Sequence, residues 1–205
     1  MSLLSQLTEK PWETVSDEVV DLHGKSAFFL PTPQVGLRVF LGVITVLFTL
    51  FVLAYADRMT LGDWRPLPEP WVLWLNTAVL ILSSVALHRA WIAADRGQID
   101  GVRVGLLAGG GFAFAFLVGQ LLAWQQLIDL GYFAATNPAN AFFFVITALH
   151  ALHLLGGLVA WGRTMAKVRR GLEVAEVHMS VELCAVYWHF LLVVWLVMFC
   201  LFLFT

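Results

Sequence analysis

Charge is scarce in this 205-residue chain: 13% of residues are Asp, Glu, Lys or Arg, against 60% that are apolar, and the mean hydropathy is +0.82. So small a charged fraction excludes an ordinary soluble globular domain and requires an apolar surrounding. A formal net charge of -2 leaves no basic reservoir for nucleic acid. Cysteine is nearly absent. Cys184 and Cys200 are sixteen residues apart in one apolar segment, which on a straight helix is about 24 Å, so they cannot pair there. No CxxC is present to hold a metal through sulfur. Residues 1–30 are not expected to be a signal peptide, since they carry Glu9, Glu13, Asp17, Glu18 and Asp21 and no continuous apolar core ahead of a small-residue cleavage site.

What the chain has instead is long apolar runs, with nine Trp and sixteen Phe to pack them and line their ends. Five runs approach the roughly 20 residues needed to cross hydrocarbon: 36–56, 71–93, 104–126, 141–161 and 183–204. The connections hold breakers: Gly62, Pro66, Pro68 and Pro70 in the first, Gly97 and Gly101 in the second, Gly131, Asn137 and Pro138 in the third. Pro31 and Pro33 interrupt the chain just before the first run. The expectation is an all-α integral membrane bundle of five transmembrane helices over 36–205, preceded by an acidic extension over 1–35.

Five spans put the termini on opposite sides. Lys10, Lys25, Arg38, Arg89, Arg96, Arg103, Arg163, Lys167, Arg169 and Arg170 fall with the N-terminus, and only Arg58 and Arg65 fall opposite. Basic residues are retained on the cytoplasmic side, so the N-terminus is expected to be cytoplasmic and the C-terminus outside.

Polar groups inside the spans cluster on the last two. His150 and His153 are three apart; His178 and Glu182 are four apart, with His189 seven further on, so each set lies near one helix face. Tyr187 and Trp188 adjoin His189. An anchor needs only apolar bulk, so these groups imply a specific protein or lipid contact. A bis-histidine haem between His153 and His189, about 15 and 10 Å deep, is one chemical reading. A carboxylate-bridged metal pair is disfavoured because no Glu-x-x-His occurs. A transporter is disfavoured too, since the helices show neither a repeated half nor Gly/Pro-broken segments at mid-depth. The remaining reading is an interhelical hydrogen-bonded network of His150, His153, His178, Glu182, Tyr187, Trp188 and His189, with His178 pairing Glu182.

At these residues the chain resembles subunit III of the haem-copper cytochrome c oxidases and the related quinol oxidases, from about residue 36 to the C-terminus. Phe144, Thr147, His150, His153 and Gly156 stand in that family's F-x-x-T-x-x-H-x-x-H-x-x-G pattern, and His178 with Glu182 in its H-x-x-x-E pair. Tyr187, Trp188, His189, Phe190, Val194 and Trp195 match Y-W-H-F-x-x-x-V-W. Upstream, Leu75, Asn76 and Thr77 resemble its L-N-T, followed by Ser83, Ser84 and His88, and Gln120 with Trp124 its Q-x-x-x-[WY]. Three positions depart from the pattern: Ile44 and Leu192 replace usual acidic residues, and the acidic residue before L-N-T is missing although Glu69 is near.

The resemblance implies the five-helix form of a subunit without a redox centre or metal of its own, in a multi-pass position in a bacterial inner membrane. It implies assembly with the catalytic subunit I and subunit II, which carry haem and copper, in an enzyme that reduces O2 to water and pumps protons. Such a subunit is expected to stabilise subunit I, support proton uptake and bind phospholipid. Arg89, Arg96, Arg103, Arg163, Arg169 and Arg170 are the candidate headgroup contacts on the cytoplasmic side. A subunit III-like accessory of a nitric oxide reductase system and a small haem b membrane cytochrome are the alternatives, and the electron donor stays open between cytochrome c and a quinol.

Overall fold

The computed structural model describes residues 32–62, 64–65 and 71–204. Residues 1–31 of the expected N-terminal extension, and Glu69, lie outside the described residues. Within them the regular structure is entirely helical: α1 (Thr32–Met59), α2 (Val72–Asp95), α3 (Ile99–Asp129), α4 (Pro138–Arg169) and α5 (Val174–Leu203). All five are long and apolar enough to cross a membrane, so the chain is a multi-pass membrane protein.

Each apolar run falls on one helix to within a residue, and several helices continue past it. Hydropathy marks the part in contact with hydrocarbon, but a helix lasts as long as its backbone is bonded and one face stays packed. Beyond 161, α4 buries Thr164, Met165 and Val168, and before 183, α5 buries Val177 and Val181, all at helical spacing. The long ends of α4 and α5 therefore pack together outside the apolar runs.

Local chemistry fixes the helix ends. Asn137 caps α4, its side chain accepting from the Ala139 N–H at 3.2 Å with Pro138 in the first turn. The same amide group donates to the Arg65 carbonyl at 2.6 Å, tying the α1–α2 connection to the start of α4. Beyond α2 and α3 the chain turns at Gly97 (φ 68°) and Gly131 (φ 85°), left-handed positions where a side chain would be strained.

Four helices close a ring, α2 against α3, α3 against α4, α4 against α5 and α5 against α2, with α2–α3 the most intimate seam. Neighbours run antiparallel: along α2 and α5, Asp95 meets His178, Ser84 meets His189, Ser83 meets Trp188, Thr77 meets Trp195 and Trp74 meets Phe199. Small residues let α2 and α3 approach closely; a Cβ on Gly105 would lie 2.7 Å from that of Ala90. The ring is filled by Phe116, His150 and Trp195, with Phe116 edge-on to Trp195 at 4.9 Å. Helix α1 is peripheral, burying only Ile44, Phe48 and Tyr55. Phe48 reaches the rings of His150 and His153 on α4, and Tyr55 touches Phe142 on α4 and Phe202 on α5.

Candidate functional site

Indole N–H groups link helix to helix through the bundle. Trp188 and Trp195, two turns apart on α5, donate to Ser83 Oγ at 3.0 Å and Thr77 Oγ1 at 2.9 Å on α2. Ser83 passes its own proton to the Gly109 carbonyl of α3 at 2.7 Å, so one hydroxyl joins three helices. Trp124 of α3 donates to Thr147 Oγ1 of α4 at 3.1 Å, and Trp161 of α4 donates to the Leu106 carbonyl of α3 at 2.8 Å. In an apolar surrounding a buried donor must find an acceptor inside the protein, and each of these bonds fixes a helix pair in rotation and in depth.

The histidines divide among different seams. His150 is fully buried, its ring 5.2 Å from Trp195, 5.8 Å from Phe116 and 6.4 Å from Phe48, and neither nitrogen has a hydrogen-bond partner among the described residues. His153 turns toward α1, with Nδ1 at 2.8 Å from the Leu149 carbonyl and its ring 5.5 Å from Phe48. Its own carbonyl accepts the Tyr187 hydroxyl at 2.9 Å, an α4–α5 link. His189 faces α2, where Nδ1 lies 2.5 Å from Ser84 Oγ and Nε2 lies 3.4 Å from His88 Nδ1. His153 and His189 thus point into different seams. Among the described residues no three His, Cys, Asp or Glu side chains are grouped to hold a metal.

His178 Nε2 is 2.5 Å from Asp95 Oδ1 at the end of the neighbouring α2. Asp95 is 83 positions away, so no spacing within α5 signals this contact. Both groups are substantially exposed, so this pair orients the helix ends more than it stabilises them. Glu182 lies half-buried on α5.

The six arginines singled out above are all exposed, and Arg163 borders a cavity. That cavity is an open groove of about 520 Å³ between α1, α4 and α5. Leu37, Phe40 and Leu152 are among its apolar walls, and Tyr187 and Trp188 also border it. Arg163 and Lys167 supply positive charge at one end, where Lys167 donates to Ser180 at 2.9 Å. The i+4 spacing of Arg163 and Lys167 puts both cations on the groove side of α4. Gly157 keeps the α4 side of the groove thin, since a Cβ there would lie 2.7 Å from the Tyr187 ring. A second groove, of about 590 Å³ between α2 and α3, has Asp129 as its charged residue and no Lys or Arg in its lining.

The polar pattern that builds these seams recurs in known proteins. A family model for cytochrome c oxidase subunit III matches residues 35–205, which takes in nearly all the described helices. Cytochrome c oxidase subunit 3 of Thermostichus vulcanus is 32% identical over 134 residues, covering 65% of this chain and 65% of that protein. Cytochrome c oxidase subunit 3 of Corynebacterium diphtheriae is 29% identical over 161 residues, 75% of this chain and 76% of its own. A probable cytochrome c oxidase subunit 3 of Mycobacterium tuberculosis is 31% identical over 144 residues, 67% and 70% of the two chains. With five spanning helices and a family match that runs from residue 35 to the C-terminus, the chain belongs to the cytochrome c oxidase subunit III family.

Proposed function

We propose that this chain is the non-redox subunit III of a proton-pumping respiratory terminal oxidase that reduces O2 to water. In this reading haem and copper reside in partner subunits, and the chain packs beside the catalytic subunit I, stabilises it and supports its proton uptake. The observation that carries the reading is the deployment of polar groups. Trp188, Trp195, Trp124, Ser83, Thr77 and Thr147 are engaged in bonds between helices, as a rigid packing subunit requires. A bis-histidine haem in this chain is the weaker reading, since His153 faces α1 and His189 faces α2.

The charge distribution supports a cytoplasmic N-terminus and an external C-terminus in a bacterial plasma membrane. The groove between α1, α4 and α5 suits a phospholipid: its apolar walls accommodate an acyl chain, and Arg163 and Lys167 meet an anionic headgroup. The second groove lacks such cations.

Purification from native membrane through a tag on the N-terminus tests the assignment. Co-purification with a haem-copper subunit, a reduced-minus-oxidised haem spectrum and O2 uptake are expected. A colourless chain with no partner would overturn it. Phospholipid retained by the complex should fall when Arg163 and Lys167 are both replaced by Gln, and unchanged phosphorus content would remove the groove as the lipid site.

A further inference from the structure

In the seam between α2 and α5, two imidazoles from different helices converge. His189 Nε2 of α5 lies 3.4 Å from His88 Nδ1 of α2, with the ring centroids 5.3 Å apart and the ring planes inclined by 52°. Hydrogen bonds from a nitrogen donor favour about 2.9–3.0 Å. Two imidazole nitrogens held on one tetrahedral cation, at about 2.0–2.1 Å each, stand about 3.3–3.4 Å apart. The observed separation is therefore long for a hydrogen bond and equal to the bite of a single metal ion.

The surroundings of the pair suit a cation. Ser84, 2% exposed on α2, places Oγ 2.5 Å from the other nitrogen of His189, Nδ1. Whichever nitrogen carries the hydrogen in the metal-free protein, a cation on Nε2 leaves it on Nδ1, where the Ser84 oxygen accepts it; metal-bound imidazoles regularly have such a partner. On the α2 side, Trp91 stands edge-on to the His88 ring at 5.7 Å, one turn along. His88 is exposed, and so is Arg89 beside it in the chain, a residue whose head group is kept in water, so a hydrated cation can reach this turn of α2. Arg89 itself lies about 100° round the helix from His88. Among the described residues no third His, Cys, Asp or Glu joins the pair, which leaves water to complete the coordination and makes the ion exchangeable.

We propose that His88 and His189 form a two-histidine site for a zinc ion bridging α2 and α5. Imidazole is a preferred zinc ligand, and zinc takes a tetrahedral set of two nitrogens and two waters without any redox change. Because the two ligands come from different helices, the ion ties α5 to α2 beside the Trp188–Ser83 bond and binds only when the helices are in native register. The site belongs to this chain alone and does not depend on the oxidase reading.

Zinc titrated into this chain tests the proposal, with the protein purified in detergent through a tag free of histidine, stripped by a chelator and set in competition with a chromogenic zinc indicator. One equivalent is expected to bind. His88→Ala, at an exposed position, should weaken that binding by about tenfold or more, and Ser84→Ala, which removes the partner of Nδ1, by about tenfold. His178→Ala should leave it unchanged. Cu2+ in place of zinc gives a second readout: its EPR spectrum should show splitting from two imidazole nitrogens in the unsubstituted chain and from one in His88→Ala. Zinc that stays bound in His88→Ala, zinc lost with His178→Ala instead, or no bound zinc at all would overturn the site. None of these results bears on the oxidase reading, which stands or falls on co-purification with a haem-copper subunit.

Discussion

Both ring nitrogens of His150 are buried without a hydrogen-bond partner among the described residues, whereas the N–H of Trp188, equally buried, reaches Ser83 Oγ. Desolvating an unpaired polar group is unfavourable by about 1–3 kcal/mol, and an apolar ring of similar volume avoids that penalty. His150→Phe should therefore keep or raise the midpoint of thermal unfolding in detergent; a lowered midpoint would show that the imidazole has a polar partner. Trp188→Phe should act in the opposite sense. Its coupling with Ser83→Ala in a double-mutant cycle is expected at about 0.6 kcal/mol and no more than about 1.7 kcal/mol, the average and the maximum for hydrogen bonds between membrane helices. His150 and His153, three apart in sequence, share a helix side only loosely. The few tens of degrees between them send one ring to the centre of the bundle and the other toward α1.

Between elements, the seams depend on close approach at small residues. On α3, a Cβ at Gly110 would fall on the Trp161 ring, whose N–H is held by the Leu106 carbonyl of the same helix, whereas Gly111 next to it has open space. Gly110→Val should displace the indole, break its bond and cost about 1–3 kcal/mol of stability, while Gly111→Val should leave the unfolding midpoint unchanged. The pair makes the comparison internal to one turn of helix. At the ends of α2 and α5 the exposed Asp95 and His178 form a weaker link. Asp95→Asn should change the midpoint little, by less than about 1 kcal/mol, as measured for exposed ion pairs.

For the molecule as a whole, sorting Lys and Arg by the five spans in the sequence, ten with the N-terminus against two opposite, sets the expected orientation. A reporter active only in the cytoplasm should work when fused to the N-terminus and fail at the C-terminus, and the reverse result would invert the bundle. With the orientation proposed above, Arg163 and Lys167 would lie in the cytoplasmic leaflet, the side on which anionic headgroups attract basic side chains.

The sequence by itself determined that the chain crosses the membrane five times and where, because hydrocarbon admits only apolar helices with their backbone bonds closed internally. It also determined the family, through polar residues at helical spacing in 144–156 and 178–195. Only the tertiary structure decided which of those polar groups meet. Asp95 with His178, Ser84 with His189, and Trp188 and Trp195 with Ser83 and Thr77 are contacts between helices far apart in the chain. Their pairing depends on the relative rotation and depth of two helices, and no periodicity within either one encodes it. The groove, too, exists only once α1 lies against α4 and α5, since its walls come from three separate spans.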